Sequence, residues 1–262
     1  MKYLIANHKM NFTTAELTAY LKKLKKYAKK SENYVGICVP YVYLPLATKM
    51  CRKTNIHVGA QDMYFEAKGP YTGEISATML KDFNTELVIL GHSERRGIFG
   101  EKDESVNKKV LVALNEGLTP ILCVGETRPE REAGLTNQIV KTQLTGALNG
   151  IGAESLSKII FAYEPVWAIS DGTKGTSATK EDAEETVKFV KETIAEIYGL
   201  TSFENIAVLY GGSLSGKNVN DILPQPHIDG GLVGGASLKA DDFKKVIDYK
   251  DRKRHVWTPV TE

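Results

Sequence analysis

The stretch Ile159-Ile160-Phe161-Ala162-Tyr163-Glu164-Pro165-Val166-Trp167-Ala168-Ile169 identifies the kind of sheet this chain builds. Its first five residues are apolar or aromatic without alternation, the pattern of a strand covered on both faces, as in a parallel sheet. The run ends in a single carboxylate, Glu164. A rigid Pro-Val-Trp step then leads into a Gly/Ser/Thr-rich loop that reaches Thr179. A glutamate at the C-terminal tip of a buried strand, beneath a loop able to close, is where a general base belongs. A glutamate that only caps a strand end would look the same in isolation.

Outward from this stretch, similar runs recur at 3–7, 35–39, 57–60, 87–90, 119–124, 206–210 and 229–233, making eight strands with 159–163. Segments of helical spacing lie between them, such as Leu17, Tyr20, Leu21, Leu24, Tyr27 and Ala28, or Ala183, Val187, Val190, Ile194 and Ile197. Thr179 followed by Glu181 and Asp182 reads as a helix N-cap with an acidic first turn. Eight strand–helix repeats in about 250 residues predict a closed (β/α)8 barrel, an α/β fold in one domain over residues 1–248. A doubly wound open sheet fits the count nearly as well, but no G-x-G-x-x-G follows the first strand. Residues 249–262, with the basic cluster Lys250, Arg252, Lys253 and Arg254, are expected to form a solvated tail.

The 262 residues carry 34 basic and 32 acidic side chains, a formal charge of +2, which gives no global attraction to nucleic acid or to an anionic membrane. A small anionic substrate would need a local positive site. No apolar run approaches the roughly 18 residues of a membrane span, and polar Asn7 interrupts the first strand run early, so a cytoplasmic location is expected. Cys38, Cys51 and Cys123 have no C-x-x-C spacing and the five histidines are scattered, so neither a disulfide framework nor a metal site is expected.

Residues able to carry chemistry cluster after the strands. Asn7-His8-Lys9 follows the first, pairing an amide donor with a compact cation suited to a phosphate or an oxyanion, or else forming an ordinary turn. Gly91-His92-Ser93-Glu94-Arg95 follows the fourth. There a sharp turn sets His92 at a helix start, whose positive end lowers the imidazole pKa and keeps the ring neutral. Gly211-Gly212-Ser213 and Gly234-Gly235 follow the last two strands, where main-chain N–H groups approach anions. Glu126, at the end of the fifth strand, is a second candidate base or a supporting residue. Three long connections, 61–75, 164–178 and 211–217, fall on the same face.

Seven segments taken in order, NHKMN (7–11), GAQDMYFEAKGPYTGEIS (59–76), GHSERRGIFGEKDE (91–104), CVGETRPEREAG (123–134), AYEPVWAI (162–169), YGGSLSG (210–216) and IDGGLVGGASLK (228–239), resemble the triosephosphate isomerase family from Asn7 to about Val246. The resemblance implies a TIM barrel that interconverts dihydroxyacetone phosphate and D-glyceraldehyde 3-phosphate through an enediolate, in glycolysis and gluconeogenesis. It implies that Glu164 moves the proton, that neutral His92 polarises the carbonyl and that Lys9 and Asn7 stabilise the oxyanion. It further implies that Ser213, Gly234 and Gly235 hold the phosphate, together with a lid glycine, Gly172 or Gly175, and that Glu94 and Arg95 support the site. The loop bearing Thr72 is similar to the family's intersubunit loop, which implies a homodimer. The family implies no cofactor and no metal.

Two departures stand out. Ser170-Asp171-Gly172-Thr173-Lys174-Gly175-Thr176-Ser177 is longer than the family's usual lid, and His8 stands where a tryptophan is common. A lid of different length motivates an alternative, a paralogue isomerising another small sugar phosphate such as a tetrose phosphate. A barrel that binds phosphate without turnover is a third reading, from a different functional class.

Overall fold

The computed structural model describes residues 1–168 and 178–250. Eight parallel strands close into a barrel in sequence order: β1 (Tyr3–Asn7), β2 (Tyr34–Val39), β3 (Ile56–Ala60), β4 (Leu87–Leu90), β5 (Thr119–Val124), β6 (Ile160–Tyr163), β7 (Ala207–Tyr210) and β8 (Gly230–Val233). Closure is made by β8 on β1, in register from Tyr3 opposite Gly230 to Ala6 opposite Val233. The expected barrel is therefore present, and each strand begins and ends within about one residue of its apolar run.

The helices are α1 (Thr14–Ala28), α2 (Leu44–Cys51), α3 (Ala77–Asp82), α4 (Ser93–Ile98), α5 (Asp103–Asn115), α6 (Arg128–Glu132), α7 (Thr136–Ala147), α8 (Lys180–Tyr198), α9 (Val219–Ile222) and α10 (Ala240–Ile247). Helix α8 starts where the sequence places it. Thr179 Oγ1 accepts the Asp182 N–H at 3.0 Å and Asp182 Oδ2 accepts the Thr179 N–H at 3.0 Å, a reciprocal cap.

Why the strands read as unbroken apolar runs is visible in the packing. One set of side chains, including Ile5, Ile89, Ile121, Ile160, Leu209 and Leu232, fills the barrel interior. The alternate set, including Leu4, Val88, Leu122, Phe161 and Val208, meets the helices outside. With both faces dry, only the strand ends are free to carry polar groups. Tyr249, expected to begin a solvated tail, is instead buried against the barrel and its carbonyl accepts the Asn33 Nδ2–H at 2.7 Å, while residues 251–262 lie outside the described residues.

His8 shows the same exclusion of water at the first strand end. It is fully buried between Phe12 and Tyr20, with ring centroids 4.9 and 4.8 Å away in edge-on contact. Neither ring nitrogen has a hydrogen-bond partner among the described residues. An aromatic ring thus occupies the place where the family commonly has tryptophan, but a ring that titrates. Burial pulls its pKa from 6.5 down to about 3. Because the unfolded chain binds this proton below 6.5 and the folded chain does not, stability is whole above pH 6.5 and falls as pH drops toward 3, by up to about 1.4 kcal/mol per pH unit. Urea unfolding at fixed protein concentration checks this. The His8→Phe variant is expected to lose about 2–3 kcal/mol less than the parent between pH 7.5 and 4.5; equal losses would show that His8 does not carry the acid sensitivity.

Candidate active site

Five strand ends, those of β1, β4, β6, β7 and β8, bring the site together. At the end of β1, Asn7 is buried and its Oδ1 accepts the Lys9 N–H at 3.0 Å. Lys9 has φ of +50°, a left-handed conformation that costs an L-residue roughly 1–2 kcal/mol. Gln61 holds it there: its Nε2 donates to the carbonyls of both Lys9 and Cys38 at 3.0 Å. From that backbone the Lys9 ammonium reaches the Glu94 carboxylate, Nζ to Oε1 2.6 Å.

At the end of β4, Gly91 turns the chain with φ of +69°, and His92 becomes the N-cap of α4. Its Nδ1 accepts the Glu94 N–H at 3.2 Å, which leaves Nε2 as the nitrogen that carries hydrogen in the neutral ring. Nε2 points at Glu164 Oε1, 2.9 Å away. Glu164 is held from the other side by the Ser93 N–H, which donates to Oε2 at 2.8 Å. Its own N–H donates to the Val124 carbonyl at 2.8 Å, tying the tip of β6 to β5.

Both groups are enclosed, His92 at 6 % and Glu164 at 2 % exposure. Burial pushes the Glu164 carboxyl up, but His92, the Ser93 N–H and Lys9 outweigh it and the net direction is down. Burial lowers the His92 pKa, and the nearby Glu164 carboxylate more than offsets this, so the ring is raised. The expectation of an imidazole lowered by its helix is thereby corrected for this arrangement: the helix N–H is in place, but the carboxylate beside Nε2 prevails.

Asn7, Lys9, His92 and Glu164 line one cavity of about 170 Å³ together with Ser213, Gly234 and Gly235. Gly235 opens a short 3-10 turn, Gly235–Ser237, whose leading N–H groups have no partner within the turn itself. Ser213 lies in the loop before α9, which Asn218 braces by donating to the Ser213 carbonyl at 2.7 Å and accepting the Ser215 N–H at 2.8 Å. Gly211, read from sequence as an anion-binding glycine, has a further reason to lack a side chain: a Cβ there would sit 2.8 Å from Glu164 Cγ.

Glu94 touches the site through Lys9, whereas Arg95 turns away. Its Nε lies 2.8 Å from Asp62 Oδ2, beside a second cavity of about 240 Å³ that Lys9, Met10, Glu94 and Phe99 also line. Thr72 lies exposed in the β3–α3 connection and lines neither cavity. Gly172, with the longer segment from Ile169 to Ser177 on which the tetrose alternative rests, lies outside the described residues. Glu126 is fully buried and accepts hydrogen bonds from Tyr163 Oη (3.1 Å) and Trp167 Nε1 (2.8 Å), so it anchors the chain just beyond Glu164 rather than facing the cavity. Sequence reasoning missed Ser93 and Gln61. The adjacency of Ser93 to His92 at a helix start was the only local signal for the former. Among the described residues no group of three His, Cys, Asp or Glu side chains is close enough to hold a metal ion, and no helix is long and apolar enough to cross a membrane.

Comparison with known proteins agrees with this geometry. A family model described as triosephosphate isomerase matches residues 2–250. Triosephosphate isomerase of Acetivibrio thermocellus is 46% identical over 243 residues, covering 93% of this chain and 96% of that protein. The Alkaliphilus oremlandii enzyme of the same name is 45% identical, covering 93% and 97%. The crystal structure of triosephosphate isomerase from Bartonella henselae superposes with a TM-score of 0.83 at 38% identity, over 94% of this chain and 98% of that one. None of these relatives favours the tetrose phosphate alternative. With its closed barrel, its polar strand ends and these relatives, the chain belongs to the triosephosphate isomerase family.

Proposed function

We propose that this isomerase interconverts dihydroxyacetone phosphate and D-glyceraldehyde 3-phosphate by moving one proton between adjacent carbons. The observation that carries the reading is His92 Nε2 facing Glu164 Oε1 at 2.9 Å in one small cavity that also holds Lys9 and Asn7. A substrate entering between ring and carboxylate takes both contacts. Glu164 removes a proton from the carbon beside the carbonyl, and the electron pair moves onto the carbonyl oxygen to give an enediolate. The Nε2–H of His92, the Lys9 ammonium and the Asn7 amide stabilise that oxygen, each already oriented before charge develops. The enediolate oxygen takes the Nε2 proton of His92 and the ring is restored by the proton of the hydroxyl on the neighbouring carbon; Glu164 then returns its proton to that carbon as the second oxygen becomes the carbonyl.

The pKa directions support this order of events. Against His92 and Ser93 the carboxylate is a weak base. Once substrate separates the pair, Glu164 loses its strongest partner and burial raises its basicity. His92 loses the anion that favoured its charged form, and burial with the Glu94 N–H on Nδ1 keeps it a neutral donor. The phosphate fits the turns at Ser213, Gly234 and Gly235, where N–H groups at the ends of β7 and β8 serve an anion.

The enzyme acts as a cytoplasmic homodimer in this proposal. Met10 (95 % exposed) and Phe99 (68 % exposed) flank the second cavity, a concave surface beside the site that pairs these apolar side chains with the charged Lys9, Glu94 and Arg95. The Thr72 loop of a second copy suits it, and would cover Lys9 and Glu94. The catalytic domain of this proposal spans residues 1–248, and buried Tyr249 packs against it.

Three outcomes are expected. Glu164→Ala lowers kcat for D-glyceraldehyde 3-phosphate by at least about 100-fold in a coupled assay; retained turnover would remove Glu164 from the reaction. His92→Gln lowers kcat by about 100- to 1000-fold, the usual cost of one oxyanion donor, and a smaller fall would assign the oxyanion to Lys9 and Asn7 alone. Sedimentation at micromolar concentration finds a dimer that Thr72→Arg weakens; a fully active monomer would refute the assembly.

A further inference from the structure

Arg96 sits on α4, one turn beyond His92, and is assigned no part in the chemistry above. Its guanidinium nevertheless makes three contacts around the His92 turn. Nε donates to the Gly91 carbonyl at 2.7 Å, Nη2 to the Cys123 carbonyl at 3.3 Å, and Nη1 to Asp103 Oδ1 at 2.5 Å. Gly91 is the left-handed residue whose turn aims His92, and Cys123 precedes Val124, whose carbonyl receives the Glu164 N–H. One planar cation therefore joins the turn that carries the imidazole to β5, the strand whose Val124 carbonyl holds the Glu164 N–H, and Asp103 at the start of α5 fixes its orientation.

We propose that Arg96 is a positioning residue that sets the separation and aim of His92 Nε2 relative to Glu164, an inference that rests on the isomerase reading of the site. The physical case is geometric. Strands β4 and β6 are not neighbours in the barrel, so their main chains are registered through β5, and across the gap, among the described residues, only the Ser93 N–H and the His92 ring meet the Glu164 side chain. The ladder between β4 and β5 ends at Leu90 opposite Leu122, before either Gly91 or Cys123. Beyond it, Arg96 continues the connection with side-chain hydrogen bonds. A fork of rigid N–H donors spans two carbonyls and a carboxylate at once, which a lysine ammonium on a flexible stem does not do. Without the fork the fold persists, but the acid and the base lose their common frame.

Steady-state kinetics of the full chain with D-glyceraldehyde 3-phosphate, together with 15N spectra of its histidine rings, tests this. Arg96→Met is expected to fold with the parent's circular dichroism and lower kcat by about 10- to 100-fold, the scale of a misplacement near 1 Å. KM should stay within about threefold, and the His92 ring signals should shift. Arg96→Lys is expected to recover part of kcat. If Arg96→Met does not fold, Asp103→Asn, which frees the guanidinium but keeps it, decides with a smaller fall in the same direction. Unchanged kcat and unchanged His92 signals in a folded variant would overturn the proposal, as would a fall in activity carried by KM alone. The ring signals are read without turnover. An inactive parent would therefore count against the isomerase reading, while a shifted His92 signal would still support the positioning role.

Discussion

Keeping a carboxylate charged at the mouth of a dry barrel is the constraint on which the site depends. Glu164 is enclosed on every side, and an isolated buried carboxylate would take up a proton rather than pay the cost of desolvation. Three donors prevent that: the Ser93 N–H, the His92 ring and the nearby Lys9 ammonium. Each comes from a different kind of element, a helix start, a strand-end turn and a left-handed residue. The barrel matters because it brings β1, β4 and β6, three strands that do not touch in sequence order, to one rim.

The same donors explain how a weak base becomes useful. A carboxylate that His92 and Ser93 hold below its usual range is stable while the site is free, and gains basicity when substrate displaces those contacts. Lys9 is similarly poised against Glu94, so its charge is stored near the oxyanion position. The left-handed backbone of Lys9 is the visible cost of aiming it, and Gln61 holds that conformation from β3 to β2.

Much of the fold was legible because parallel strands buried on both faces leave an unbroken apolar signature, as Leu87–Leu90 and Thr119–Val124 do. The N-cap of α8 was legible for a local reason, Thr179 ahead of the acidic Glu181 and Asp182, although the bond from Asp182 back to the Thr179 N–H was not. Short helices such as α6 and α9 were not, since one turn has too few residues to show a period. Within the site, Asn7, Lys9, His92 and Glu164 stood out as polar residues at strand ends. Their partners did not: Ser93 meets Glu164 across 71 residues and Glu94 meets Lys9 across 85. Gly211 was read by its residue type alone, and only the packing shows that Glu164 fills the space its side chain would take. The direction of the His92 shift escaped for the same reason, because the helix start is local and the opposing carboxylate is not.

The central claim is that Glu164 carries a proton between adjacent carbons through an enediolate. Turnover of D-glyceraldehyde 3-phosphate in D2O, followed by NMR of the product, tests it most directly. A carboxylate that exchanges its proton with solvent during the lifetime of the intermediate predicts deuterium on the carbon next to the product carbonyl. Product free of solvent deuterium at every extent of reaction would mean that hydrogen moves directly between the carbons, and would contradict the account.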